Sequence, residues 1–351
     1  MPSWAKAVAV LLSVVIIGLL AALVVAATGE SERVKEDPAL AAAKRAREER
    51  RRAALITERE QLKEARARRN RQAANANGPQ PASAGTNGTE GQSSPPSTAD
   101  GGKLSNSFAQ LESDVEGEIG VAYSLGPGEV QQLGRLEAGH AWSSFKVPIV
   151  VTLIGEQDGS LTSEQESLAA SAITASDNSA AAVLFSAIES KTGGAASAAI
   201  EEVLSASGGT TKVATAPPPP GAVSSWGQTE WSLVASTQFY AALACDAYGP
   251  AAKALAVGDM ENVIPEQQWG LGQASFPAGT DVAIKAGWGP DGSESGPYLV
   301  RQAGIIRSAA GGQLVVTIAA QDSSGSFEAG VSDLNRVADW VADNLPLNGS
   351  C

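Results

Sequence analysis

The sequence contains few cysteines and histidines, and this scarcity excludes several kinds of site. Its 351 residues include two cysteines and one histidine. No spacing resembles that of a structural zinc site, and a single histidine cannot build a histidine-rich metal centre. His140 lies three residues before Ser143, an awkward position for the base of a serine-histidine-aspartate triad. We therefore expect no metal and no cofactor, and a serine nucleophile would need a base other than histidine.

The two cysteines leave two alternatives open. In an oxidising compartment Cys245 and Cys351 can form a disulfide bond. Alternatively, Cys245 is a buried helical residue and Cys351 is a free thiol at the carboxyl terminus. The sequence does not decide between these alternatives.

Basic residues are scarce in the part of the chain that we expect to be globular. The formal net charge is -13, and 14 of the 25 lysines and arginines lie between Arg33 and Arg71. Residues 104–351 carry 27 acidic residues against 9 basic ones. Because an acidic domain repels phosphate backbones, nucleic acid is not an expected partner. Small or peptide-like substrates fit this charge better.

A long uncharged run, Ala7–Ala27, lies near the amino terminus. It has about the 20 residues that a helix needs to cross a bilayer, and it exceeds the usual core of a signal peptide. We therefore predict an uncleaved, single-pass anchor in residues 1–29, with a cleaved signal sequence as the alternative. The basic residues that follow, such as Arg33 and Lys35, favour a cytoplasmic domain by the positive-inside rule. The chemistry argued below needs an external substrate, so we expect the domain on the extracytoplasmic side of the cell membrane.

Two segments separate this anchor from the globular domain. Residues 30–74 are rich in helix formers, with apolar positions too sparse for a coiled coil, and predict a charged helical stalk. Residues 75–103 are rich in Asn, Gly, Pro, Ser and Thr and predict a disordered linker. The remaining residues, 104–351, form the expected globular domain.

The globular segment has strand patterns near both ends and helical patterns between them. Strands are predicted at residues 118–123, 281–287, 298–307 and 314–321, and a final helix at 328–344. One sheet assembled from distant parts of the chain, with helices between its strands, predicts an α+β fold.

Three short motifs follow one another in this segment. They are Ser143-Ser144-Phe145-Lys146 at a helix start, Ser176-Asp177-Asn178 at the start of another helix, and Lys285-Ala286-Gly287 on a late strand. Each motif alone is common, since Ser-Asp-Asn is an ordinary helix cap and Lys-Ala-Gly an ordinary strand end. Their order and their structural contexts indicate a shared function.

The first motif places Ser143 and Lys146 on one face of a helix. A serine hydroxyl is a poor nucleophile unless a base takes its proton, and lysine is such a base only when burial or a second cation lowers its pKa. Ser176 can relay a proton, Asn178 can orient the lysine and a substrate, and Lys285 can supply the second cation.

With these motifs the chain resembles the serine β-lactamase and penicillin-binding protein superfamily, especially the class A-like serine hydrolases, whose marks are S-x-x-K, S-D-N and K-T-G. The resemblance covers about residues 104–345, and residues 142–148, 172–181 and 327–330 also look like segments of that family. It implies a β-lactamase/transpeptidase-like fold, in which an antiparallel sheet is flanked by helices and joined by a helical subdomain.

The resemblance also implies a role for each motif residue. Ser143 would be acylated, Lys146 would be its base and Ser176 would relay the proton. Asn178 would orient the substrate, and Lys285 would bind its carboxylate. The backbone N–H groups of Ser143 and of Trp288, which follows Gly287, would form the oxyanion hole.

Three departures from the family pattern limit what the resemblance implies. The spacing of 33 positions between Ser143 and Ser176 is short, so the helical subdomain looks trimmed and the cleft more open. Ala286 stands where K-T-G has a hydroxyl, which removes one hydrogen bond to a substrate carboxylate, worth about 1.5–3 kcal/mol. Residues 203–229 contain no Asp or Glu, although class A β-lactamases carry their deacylating glutamate in this loop.

Glu230 closes that acid-free segment, but the sequence places it beside Trp231 in what looks like the next helix. The family aligns no deacylating base there. We therefore expect acylation of Ser143 with slow deacylation.

Three hypotheses follow from these observations. The first is a membrane-anchored serine hydrolase that forms an acyl-enzyme with peptidoglycan stem peptides or β-lactams. The second is a catalytically silent relative that binds wall peptides or partner proteins. The third is a true β-lactamase with fast turnover, which the acid-free loop disfavours.

Overall fold

The computed structural model describes residues 98–126, 128–219, 222–290 and 297–351. The predicted anchor (1–29), the stalk (30–74) and the linker up to residue 97 lie outside the described residues. Within those described ranges, no helix combines the length and the apolar character that crossing a bilayer requires.

A five-stranded antiparallel sheet forms the centre of the described domain, with strand order β2-β1-β5-β4-β3. The strands are β1 (Glu118–Ser124), β2 (Gln131–Gly134), β3 (Asp281–Pro290), β4 (Tyr298–Arg307) and β5 (Gln313–Asp322). The predicted α+β class and the four predicted strands are confirmed. The short strand β2 was not predicted, because its sequence, Gln-Gln-Leu-Gly, lacks the alternation that marks a half-buried strand.

Eight α-helices surround this sheet in the described part of the chain. They are α1 (Thr98–Ser113), α2 (Lys146–Glu156), α3 (Ser163–Thr174), α4 (Asn178–Thr192), α5 (Ala196–Ser205), α6 (Leu233–Ala244), α7 (Pro250–Met260) and α8 (Phe327–Asn344). The first helix begins at Thr98, whereas the predicted linker extends to residue 103. Helix α1 is held by Phe108, which is buried and meets Trp340 of α8 edge-on at a ring-centroid distance of 4.9 Å.

Both faces of the sheet are buried, which explains why its strands look continuously apolar in the sequence. Along β4, Val300 and Ile306 join the core that includes α8, whereas Ala303 and Ile305 join the core formed with the other helices. The sheet therefore separates α8 on one side from the helical layer that carries the first two motifs on the other.

Side-chain caps set the starts of the helices that matter for the site. Thr162 and Gln165 form a capping box on α3, and Asp177 caps α4 by accepting hydrogen bonds from two backbone N–H groups. Ser232 caps α6 and Ser326 caps α8 in the same manner. Such caps satisfy backbone donors that a helix end leaves without partners.

A disulfide bond joins Cys245, at the end of α6, to Cys351 at the carboxyl terminus. The terminal segment is further held by a β-bridge between Gly349 and Gln313, and by a 2.7 Å hydrogen bond from the N–H of Ser350 to the carbonyl of Leu125. The choice that the sequence left open is settled in favour of the bond.

We predict that reducing this disulfide destabilises the domain. The bond spans 106 residues, and loop closure over about 100 residues is worth about 4.7 kcal/mol in the chain-entropy model. Urea unfolding with and without a reductant should show a loss of roughly this size. The double variant Cys245→Ser/Cys351→Ser should unfold at the urea concentration of the reduced wild type, with or without reductant. An equal effect of the reductant on both proteins would contradict the prediction.

Candidate active site

The first motif forms a tight turn that runs directly into a helix. A 3-10 turn, Trp142–Phe145, ends where α2 begins at Lys146. The side-chain amine of Lys146 therefore returns to the turn, with its Nζ 3.0 Å from Ser143 Oγ. Trp142 has a φ of 47°, a conformation that is strained for a bulky residue and that recurs at functional sites.

The second motif supplies the other partners of the same amine. Lys146 Nζ lies 2.5 Å from the carbonyl oxygen of Ser176, 3.1 Å from its hydroxyl and 2.7 Å from Asn178 Oδ1. Ser176 has a φ of 59°, and Asp177 holds the turn by accepting from the N–H groups of Ser179 and Ala180. The start of α4 is thereby tied to the start of α2.

The third motif brings a second lysine to the same hydroxyl. Lys285 Nζ lies 3.0 Å from Ser176 Oγ and 3.3 Å from the carbonyl oxygen of Ala286. Ser176 is thus placed between two amines, one from α2 and one from β3. The structure brings together Ser143, Lys146, Ser176, Asn178 and Lys285 as the motif order predicted.

Burial changes the acid–base properties of both lysines. Lys146 and Lys285 are fully buried. Burial lowers the pKa of Lys146 to about 7, against the opposing effect of the Asp177 carboxylate. Burial, together with the neighbouring charge of Lys146, holds the pKa of Lys285 well below its usual range. A lysine with a pKa near 7 has a large neutral fraction at physiological pH and can accept a proton.

Strand β3 approaches the turn so closely that glycine is needed at two positions. A Cβ on Gly287 would lie 2.5 Å from the carbonyl oxygen of Ala141 and 3.0 Å from the backbone nitrogen of Ser143. A Cβ on Gly289 would lie 2.3 Å from the ring of Trp142. These contacts place the backbone of β3, including Gly287, directly against the nucleophile turn.

Trp288 points away from this contact. Its ring joins a cluster with Trp269, at a centroid distance of 5.9 Å, and with Phe327, at 5.7 Å. Only its backbone N–H was predicted to take part in the site, and that group follows Gly287 on the strand.

The predicted position of Glu230 is wrong. Glu230 does not lie in a helix: it forms an isolated β-bridge with His140 and is exposed. Helix α6 starts at Leu233, because the Ser232 side chain caps it there. Residues 139–141 and 229–231 instead form a short antiparallel ribbon, with hydrogen bonds from the Ala141 N–H to the Thr229 carbonyl (2.8 Å) and from the Trp231 N–H to the Gly139 carbonyl (3.0 Å).

Two residues beside the site were not singled out from the sequence. Arg301, on β4, is fully buried and donates to the carbonyl oxygens of Gly139 and Trp231. Tyr240, on α6, donates its hydroxyl to the carbonyl oxygen of Ser144 at 3.0 Å. The available signal for Arg301 was its charge within an otherwise largely apolar strand.

The assembled groups define the chemistry that this site can perform. A hydroxyl lies next to a buried amine, and a second hydroxyl links that amine to another, which suits proton transfer to and from a serine oxygen. Within the described ranges, no group of three or more His, Cys, Asp or Glu side chains is placed to hold a metal ion.

Comparisons with solved structures identify the fold. The chromosome-encoded β-lactamase of Vibrio parahaemolyticus is 17% identical, with a TM-score of 0.55 over 68% of this chain and 98% of that one. The putative class A β-lactamase of Rhodopseudomonas palustris is 21% identical, with a TM-score of 0.54 over 69% of this chain and 99% of that one. No protein-family model and no curated protein matches the sequence. The chain therefore has the class A serine β-lactamase fold, as the resemblance implied.

We predict that Gly287→Ala destabilises the domain, because the added methyl group would overlap the Ala141 carbonyl and the nucleophile turn. Overpacking of this kind costs about 1–3 kcal/mol, which urea unfolding of the purified protein would detect. Gly155→Ala is the matched control: it lies on α2, and apart from its chain neighbours and the backbone of its own helix no atom lies within 4 Å of the added carbon. It should therefore be neutral or stabilising by up to about 1 kcal/mol. Equal stability of Gly287→Ala and wild type would contradict the close contact.

Proposed function

We propose that this protein is a lysine-assisted serine hydrolase that forms an acyl-enzyme at Ser143, with Lys146 as the base. The observation that carries the proposal is the single contact set of the Lys146 amine. It lies within 3.1 Å of the hydroxyls of Ser143 and Ser176 and 2.7 Å from Asn178 Oδ1. A buried lysine with this pKa is matched to deprotonating serine at neutral pH.

The proposed acylation moves protons along these contacts. Neutral Lys146 takes the proton of Ser143 Oγ as that oxygen bonds to the substrate carbonyl carbon. The backbone N–H groups of Ser143 and Trp288 stabilise the oxyanion. The C–N bond of the lactam or peptide then breaks, and the leaving nitrogen receives a proton through the Ser176 hydroxyl, which Lys146 or Lys285 replenishes. The product is a Ser143 ester.

The fold and the polar groups of the site support the proposed substrate class. Asn178 is exposed at the site and can hydrogen-bond an amide of the acyl group, which suits a peptidoglycan stem peptide or a β-lactam. In its protonated form Lys285 contributes positive charge toward a substrate carboxylate, but Ala286 offers no hydroxyl beside it. One missing charge-assisted hydrogen bond weakens such recognition about tenfold or more.

Release of the acyl group is the step with little support. No carboxylate occurs between residues 203 and 229, and Glu230 belongs to the ribbon opposite His140. Without a general base that activates water, an ester at Ser143 hydrolyses slowly. We therefore propose slow deacylation rather than rapid β-lactam turnover.

We also propose that the domain lies outside the cytoplasm, anchored by residues 1–29. The Cys245–Cys351 bond supports this location, because disulfides persist in oxidising compartments and are rare in the cytosol. A wall-directed substrate is accessible from that side of the membrane.

A second candidate function is a silent relative that binds wall peptides or partner proteins without acylation. Ala286 and the acid-free loop favour it. The contact set around Lys146 disfavours it, since two serine hydroxyls within 3.1 Å of one buried amine suit proton transfer and are not required for binding alone.

We predict that penicillin adds one covalent adduct to Ser143 of the purified protein. Intact-mass spectrometry over time, followed by peptide mapping, reports acylation and the lifetime of the adduct. The adduct should persist well beyond the time of its formation, because release lacks a base. Ser143→Ala should take no adduct, whereas Ser179→Ala, an exposed change on α4, should acylate as wild type does.

Each other outcome has a clear meaning. Absence of an adduct on wild type, with muropeptide binding retained, would support the silent relative. Rapid loss of the adduct that is abolished by Glu230→Gln would show that the ribbon carboxylate acts as a base after all.

We predict that the acylation rate rises with pH through a midpoint near 7. Lys146 acts in its neutral form, and burial places its pKa at about 7; the rate should therefore fall roughly tenfold per pH unit well below the midpoint and level off above it. The measurement is the rate of adduct formation between about pH 5.5 and 9 at fixed ionic strength. A profile that is flat across this range, or that falls with rising pH, would exclude Lys146 as the base.

A further inference from the structure

Arg301 is a buried cation that the proposed mechanism does not use. Its side chain is 1% exposed and lies in the middle of β4. Among the described residues, its Nε and Nη2 atoms have no hydrogen-bond partner. Burial lowers its pKa, and the charges of Tyr240 and Glu230 oppose that effect. Burying a guanidinium with two unsatisfied donors is costly, so a role beyond filling the core is expected.

Both side-chain hydrogen bonds of Arg301 are made to the ribbon beside the nucleophile turn. Its Nη1 atom donates to the carbonyl oxygen of Gly139 at 2.9 Å and to that of Trp231 at 2.8 Å. Its guanidinium also lies 5.4 Å from the ring centroid of Trp231, within the range of a cation–π contact. One nitrogen atom thus joins both strands of the ribbon formed by residues 139–141 and 229–231.

The ribbon leads directly to the nucleophile. The carbonyl of Ala141 accepts from the N–H of Ser144 at 3.1 Å, so the ribbon ends inside the turn that carries Ser143. The Trp231 ring, held under the guanidinium, meets Phe145 of the same turn edge-on at 5.5 Å. Arg301 therefore reaches the turn through both the backbone and an aromatic contact.

A second connection links Arg301 to the other wall of the cleft. In the sheet register Arg301 pairs with Gly287 of β3, and Gly287 is the residue at which an added Cβ would meet the turn. The ribbon and the candidate oxyanion strand are thus both attached to β4 at this one position.

We propose that Arg301 is a positioning residue for Ser143: it holds the ribbon against β4 and thereby sets the placement of the Ser143 hydroxyl relative to β3. This inference rests on the proposed function, because it takes Ser143 as the nucleophile. Arg301 does not touch the serine and acts through the ribbon backbone and Trp231. Burial lowers the pKa of Arg301 only to about 10, so the guanidinium is charged at neutral pH.

The test compares Arg301→Met and Arg301→Lys with wild type, using the full chain. Methionine fills much of the same volume without charge or donors, and lysine keeps a charge that can donate to the two carbonyls. Arg307→Met is the matched control, since Arg307 lies on the same strand and pairs with Glu261 away from the ribbon. Adduct formation is followed at several penicillin concentrations, which separates the affinity before reaction from the rate constant of the chemical step.

For Arg301→Met we expect the rate constant of acylation to fall at least about tenfold, toward the hundredfold that a misplacement of about 1 Å costs. The affinity before reaction and the pH midpoint should stay unchanged, because no substrate contact and no partner of Lys146 is lost. Thermal stability should change little, since removing a buried charge with two unsatisfied donors offsets the lost hydrogen bonds. The acylation rate constant of Arg301→Lys should lie between those of Arg301→Met and wild type, and Arg307→Met should acylate at the wild-type rate. If Arg301→Met does not fold, Arg301→Lys carries the comparison.

Hydrogen exchange of the backbone supplies a readout that does not depend on activity. Peptides covering residues 139–145 should exchange faster in Arg301→Met, with the rest of the domain unchanged. Acylation of the variant within twofold of wild type, or unchanged exchange of these peptides, would overturn the inference. If wild type itself forms no adduct, the proposed function fails instead, and the exchange result alone then decides whether Arg301 holds the turn.

Discussion

The burial of the Lys146 amine is the constraint on which the rest of the site depends. An amine removed from water needs hydrogen-bond partners, and its charged form is disfavoured. Its partners come from the nucleophile turn and from Ser176 and Asn178, which lie 30 and 32 positions away from Lys146 in the chain. The same burial that demands this packing also lowers the pKa of the lysine. One constraint therefore produces both the local structure and the reactivity that we propose.

The sheet supplies what the helices cannot. Lys285 and Gly287 are two residues apart on strand β3, so their side-chain positions face the same side of the sheet. The Lys285 side chain reaches the Ser176 hydroxyl, and the absence of a side chain at Gly287 leaves room for the turn. Any side chain at Gly287 would push β3 away from Ser143. We propose that Arg301, through the ribbon, limits the movement of the turn. The turn that carries the candidate nucleophile thus lies between Gly287 of β3 and the ribbon that Arg301 holds. Gly287 and Arg301 pair with each other across β3 and β4.

The two halves of the proposed cycle rest on different parts of the chain. Acylation uses the three motifs, two of which lie at helix starts and the third on the edge strand β3. Release would use the loop before α6, where this chain has no carboxylate until Glu230, and that residue is committed to the ribbon strand opposite His140. A site can keep the geometry for acylation and lack the carboxylate for deacylation, because the two sets of residues occupy separate segments of the chain.

The sequence by itself determined the α+β class, the four longer strands, the final helix and the five polar residues of the candidate site. These were readable because hydrophobic periodicity and cap residues act locally, and because the motifs place serine and lysine one helical turn apart. Only the tertiary structure decided that Cys245 and Cys351 pair, that Glu230 lies on a ribbon, and that Arg301 joins that ribbon to the sheet. Each of these depends on contacts between segments about 70 residues or more apart, and such contacts leave no periodic pattern along the chain.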